Sequence, residues 1–155
     1  MSNTETGAVP KYFPGAPARF INRELSWLSF NARVLEEAWN SRNPLLERLQ
    51  FLSISSSNLD EFYMVRVAGL KGMVTAGVSS SSPDGLTPSQ QLAKISTDVT
   101  KLVANQQTCF RELRDELRGA GFHLVDYAEL LSEDRVWLKD YFVDQIFPVL
   151  TPLAI

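Results

Sequence analysis

Four stretches of this chain repeat apolar residues every three to four positions, a spacing that only an α-helix turns into one continuous apolar face. Trp27, Phe30, Val34 and Ala38 mark the first stretch, and Leu28, Leu35 and Trp39 widen the stripe. Asn43-Pro44 opens the second, because proline is favoured at a helix's first position, and Leu45, Leu46, Leu49 and Leu52 follow it. Leu92, Ile95, Val99, Leu102, Cys109, Phe110, Leu113 and Leu117 carry a third helix over residues 89–118, with Gly119-Ala120-Gly121 placed to stop it. The fourth spans 132–146, with Ser132 as N-cap, Glu133 and Asp134 in the first turn, Leu131 and Val136 as a hydrophobic staple, and Pro148 at its end. The only alternation is the brief Phe122-His123-Leu124-Val125. The expectation is an all-α helical bundle in which long antiparallel helices near 44–76 and 89–118 are closed by helices near 23–40 and 132–146.

Punctuation divides the chain further. Ser and Asn side chains compete for backbone groups, so Ser53-Ile54-Ser55-Ser56-Ser57-Asn58 predicts a break or kink near Ser55–Asn58. Asn58 with Glu61 three places on has the spacing of a capping box, so a new helical run is expected from Leu59, with Phe62, Tyr63, Val67, Leu70 and Met73 on one face. Residues 77–88 are rich in Ser, Gly and Pro and read as a mobile loop, and residues 1–18 mix Pro, Gly and small polar residues without a period and read as a flexible arm. The chain ends on the apolar Phe147-Pro148-Val149-Leu150-Thr151-Pro152-Leu153-Ala154-Ile155, which reads as the start of a connection to a further domain.

Composition narrows the function. With 15 Lys+Arg against 18 Asp+Glu the net charge is −3, which argues against a general nucleic-acid or polyanion groove. Residues 119–155 hold two basic and six acidic groups, so that end is no phosphate binder. One cysteine, Cys109, and one histidine, His123, supply neither an internal disulfide nor a zinc ligand set, and the expected compartment is a reducing cytoplasm. No apolar run approaches the ~20 residues that span a bilayer.

Common nucleotide chemistry is also missing, since neither G-x-x-x-x-G-K-[ST] nor G-x-G-x-x-G occurs. His123 and Cys109 both sit among packing-type residues and read as a half-exposed edge histidine and a core thiol. Arg111, Arg114 and Arg118 alternate with acids and read as a solvated, self-paired face. Two residues stand apart. Arg66 falls on an apolar helix face, where its guanidinium needs either a carboxylate such as Glu36, Glu37 or Glu61 or a phosphate. Asn58 has an amide that can both donate and accept, as an adenine edge requires, but on residue chemistry alone the helix cap described above is the favoured reading.

Four ordered motifs add a resemblance. Arg23-Glu-Leu-Ser-Trp-Leu-Ser-Phe-Asn31, Asn43-Pro-Leu-Leu-Glu-Arg48, Ser57-Asn-Leu-Asp-Glu-Phe-Tyr-Met-Val-Arg66 and Pro148-Val-Leu-Thr-Pro152 resemble the amino-terminal domain of bacterial polyphosphate kinase over residues 20–155. The resemblance implies a spectrin-repeat-like bundle at 20–147, preceded by an arm at 1–19 and followed at 148–155 by the connection to the next domain. It implies an enzyme that reversibly moves the terminal phosphate of ATP onto polyphosphate through a phosphohistidine. That histidine, the Mg2+ ligands and the polyphosphate path would lie in later domains, so no catalytic or metal-binding residue is assigned here and His123 matches no catalytic motif. Asn58 corresponds to the asparagine that contacts ATP in the family. The implied partners are ATP, the other domains of the enzyme and, at full length, further copies of it, with no nucleic acid and no membrane-spanning segment. The competing reading is a non-enzymatic helical docking module that uses the Trp27/Leu28/Phe30 face and the third helix.

Overall fold

The structure, a computed structural model, describes residues 19–151. The arm expected at 1–18 and the final four residues therefore lie outside the described residues. Helix α1 runs Arg23–Trp39, α2 Leu45–Phe62, α3 Ala68–Thr75, α4 Pro88–Gly119 and α5 Ser132–Tyr141. A five-residue π-helical turn, Tyr63–Val67, joins α2 to α3, and a second, Phe142–Ile146, follows α5. The described residues contain no strand, in agreement with the all-α expectation. They form two compact units, one ending at Leu113 and one beginning at Arg114 within α4.

In the first unit the core obeys a stricter rule than a generic helical period. Buried positions alternate steps of four and three residues: Glu24, Leu28, Asn31, Leu35 and Ala38 on α1, and Ile95, Val99, Leu102, Gln106, Cys109 and Leu113 on α4. On α2 the same rule selects Arg48, Leu52, Ser55, Leu59 and Phe62. This is the seam of a left-handed coiled coil. After Phe62 the next position would be Arg66, but the buried residue is Val67, followed by Leu70. The π-helical turn supplies the extra residue, so the seam stays in the core while Arg66 moves to its edge.

Trp39 Nε1 donates to Glu112 near one end of the bundle, and Asn22 Nδ2 donates to Gln91 at the other, so α1 and α4 run side by side in the same direction. Asn31 and Arg48 pair α1 with α2 in the opposite sense, through Ser55 O at 2.9 Å and Ala38 O at 2.8 Å. The α2–α3 rod and α4 are therefore the expected antiparallel long helices.

Three expectations for the first unit's helices need correction. The predicted break at Ser55–Asn58 does not occur, because α2 passes straight through it. Ser55 is completely buried and its polar atoms have tertiary partners, its Oγ accepting from Gln106 Nε2 at 2.9 Å and its carbonyl from Asn31. Those contacts remove the local competition that makes serine a helix breaker. Asn58 consequently lies in mid-helix and is no cap; the irregularity falls five residues later, in the π-helical turn. The expected docking face also dissolves, since Leu28 is buried and Trp27 stacks on Phe62 with ring centroids 4.6 Å apart, leaving Phe30 exposed.

Within the segment 77–88, expected to be a mobile loop, residues 82–86 form a hydrogen-bonded turn. Ser82 N donates to Leu86 O and Ser82 Oγ to Asp84, while Asn22 Nδ2 reaches Asp84 Oδ2 at 3.1 Å. Gly85 takes the positive φ (85°) that this tight turn requires. The Ser82 hydroxyl, more than any other group, holds the Asp84 carboxyl below its usual range. At the α1–α2 corner Glu37 is likewise lowered, first by the Asn40 amide and then by that of Asn43.

In the second unit Asp126 and Glu129 form a capping box around the short 3-10 turn Tyr127–Glu129. The N-cap of α5 is Leu131 rather than the expected Ser132, which is the first helical residue, and that removes the predicted staple. Arg135 Nη2 donates to Ala128 O at 2.6 Å and its guanidinium covers the Tyr127 ring. His123 is exposed in the loop before that turn, where no strand forms.

Candidate functional site

Two neighbouring clefts open on the first unit, and the α1 start and the π-helical turn form their shared wall of Arg23, Glu24, Val65 and Arg66. The smaller, about 360 Å³, is completed by Trp27, Asn58, Glu61 and Phe62. The larger, about 600 Å³, continues over Phe20, Ile21, Leu70 and Met73 to the Ser80–Asp84 turn.

Glu24 organises the shared wall. Arg66 grips it with two parallel hydrogen bonds, Nε to Oε2 and Nη2 to Oε1, both 2.9 Å, and Arg23 adds two to Oε1, from Nη2 at 3.1 Å and Nε at 3.3 Å. Arg66 thus has the internal carboxylate that its place on an apolar face demanded, but the acid is Glu24 and not Glu36, Glu37 or Glu61. The helix is set for this pair by Asn22, the N-cap of α1, whose Oδ1 accepts from the backbone of Glu24 and Leu25 at 3.0 and 3.1 Å.

Asn58 is half-buried and lines the smaller cleft. Its Nδ2 donates to Oδ1 of Asn31 at 3.3 Å, and Asn31 in turn donates to Ser55 O. This leaves the second Asn58 amide proton and the carbonyl oxygen without a hydrogen bond among the described residues. With two arginines and two glutamates, the cleft has a formal charge of zero. A flat, uncharged group with donors and acceptors on its edge suits such a lining, whereas a triphosphate would need an excess of positive charge.

The structure therefore gathers Asn58 and Arg66, the two residues singled out in the sequence, into one cleft, and leaves Cys109 in the core and His123 outside it. Sequence reasoning missed Glu24, Trp27 as a cleft wall, and Asn31. The only signal for Asn31 was a polar residue at a core step, three positions after Leu28 and four before Leu35. Among the described residues no three of His, Cys, Asp and Glu come together as a metal-ligand group.

The profile of the polyphosphate kinase N-terminal domain family matches residues 20–125. The chain is 52% identical over 141 residues to the polyphosphate kinase of Prochlorococcus marinus strain MIT 9313, covering 90% of this chain and 20% of that protein. It is 48% identical over 159 residues to the polyphosphate kinase of Mycobacterium avium strain 104, covering 99% of this chain and 22% of that one. The crystal structure of polyphosphate kinase from Porphyromonas gingivalis superposes with a TM-score of 0.59 at 32% identity, over 84% of this chain and 18% of that one. The chain thus spans about a fifth of the length of the curated relatives it matches.

Proposed function

Since the chain belongs to the polyphosphate kinase N-terminal domain family, we propose that it is the amino-terminal part of an enzyme that reversibly transfers the terminal phosphate of ATP to polyphosphate, and that its own task is to bind the adenine end of ATP at Asn58. One observation carries this reading: Asn58 lines a cleft of zero net charge beside an aromatic wall with its carbonyl oxygen and one amide proton unspent. An amide with one donor and one acceptor matches the edge of adenine, and the Trp27–Phe62 stack offers the base an apolar wall. In this reading the phosphohistidine, the magnesium ligands and the polyphosphate path belong to other domains of the same cytoplasmic enzyme, which assembles from several copies.

Contact with those domains falls to the second unit in this proposal. Val136, Trp137, Tyr141, Val143, Phe147 and Val149 are all exposed, a density of bare apolar side chains that an isolated surface rarely carries.

Replacing Asn58 by alanine in the full-length enzyme tests the base contact. The expected result is a rise in KM for ATP of about two- to twelve-fold, the equivalent of ~0.5–1.5 kcal/mol, with kcat nearly unchanged; Tm should fall, because the buried Asn31 Oδ1 loses its donor. Asn58→Ser should behave alike, since serine does not present the paired donor and acceptor of an amide. Wild-type ATP kinetics in both variants would remove the role from Asn58.

A further inference from the structure

We propose that Asn31 is a positioning residue for this base site: it sets the orientation of the Asn58 amide and thereby selects a 6-aminopurine over a 6-oxopurine. The proposal rests on the reading of Asn58 as the base contact.

A succession of obligate donors and acceptors leaves one arrangement. The Ser55 group that Asn31 reaches at 2.9 Å is a backbone carbonyl, which only accepts. Asn31 must therefore present its Nδ2 there, and its Oδ1 is the atom turned to Asn58. That oxygen also only accepts, so Asn58 must meet it with Nδ2, at 3.3 Å. Reversing the Asn58 amide would set two carbonyl oxygens against each other beside a residue that is completely buried. Nδ2 is thereby committed to Asn31, and Oδ1 is left as the unbonded acceptor of a side chain that lines the cleft. A carbonyl oxygen facing the cleft accepts from an exocyclic amino group and repels a carbonyl in the same place. Adenine carries the amino group at that position and hypoxanthine the carbonyl.

The experiment compares ATP with ITP as phosphate donors in the full-length enzyme. Wild type should show a lower KM for ATP, and KM values that coincide would overturn the proposal without any variant. Asn31→Leu should raise the KM for ATP about three- to tenfold and leave that for ITP within about twofold, so that the preference collapses. The double variant Asn31→Leu, Asn58→Ala should be no worse for ATP than Asn58→Ala alone, because the two residues act through one contact. Gln106→Leu alters the same buried layer without touching either amide, and should lower Tm while keeping the ATP/ITP ratio. If Asn58→Ala raises the KM for ATP but Asn31→Leu leaves the ratio intact, the positioning role alone is lost. If Asn58→Ala changes nothing, the base contact and this inference fail together.

Discussion

Glu24 binds two guanidinium groups with one carboxylate while its side chain is only 9% exposed, so removing a partner leaves a desolvated charge behind. Arg66 is 34% exposed, and solvent screens its part of the pair. Arg66→Met is therefore expected to destabilise the domain by about 1–3 kcal/mol, and adding Glu24→Gln to it should recover part of that loss. Urea unfolding of the two variants checks it, and a double variant less stable than Arg66→Met would show that the pair is not the source. The need of Arg66 for an acid was legible in the sequence. The identity of the acid was not, because the two residues lie 42 positions apart and meet only once α1 packs against the π-helical turn.

At the scale of elements, the π-helical turn decides which residues face the core. Phe62 and Val67 are five positions apart, one more than the coiled-coil step, and Met64 inside the turn is exposed. Deleting Met64 should convert the turn to regular α-helix with Val67 and Leu70 still in register, and so leave Tm close to wild type. Deleting the exposed Ser57 should instead throw Leu59 and Phe62 off the seam and cost more than about 4 kcal/mol, a contrast that calorimetry reads directly. The 82–86 turn supplies a pH dependence. Its Asp84 carboxyl is lowered in the fold, so its contribution is fully present above the ordinary carboxylate pKa of ~4 and is lost as pH falls through the lower folded value. Protection of the Ser82 and Gly85 amides, which donate to Leu86 O and Ser82 O, should be lost below about pH 4 in wild type, and Asp84→Asn should largely abolish that acid step.

At the scale of the whole molecule, neither cleft of the first unit is lined by a histidine or a cysteine. The isolated 155-residue chain is accordingly expected to make no polyphosphate and to release no phosphate from ATP with magnesium. Metal-dependent turnover that survives repurification would contradict this.

Helix existence and the four approximate spans were written in the sequence, because a 3.6-residue period is a local property that reports on backbone conformation and burial together; the two π-helical turns were not. The resemblance of the motifs carried the family in the same way. What the tertiary structure alone decided was where polar residues find partners. Ser55 reads as a helix breaker until Gln106 and Asn31 arrive from other helices, and Asn58 reads as a cap until α2 continues through it. A hydrogen bond between residues 24, 27 or 51 positions apart leaves no periodic trace in the chain, since its energy appears only after the helices have packed.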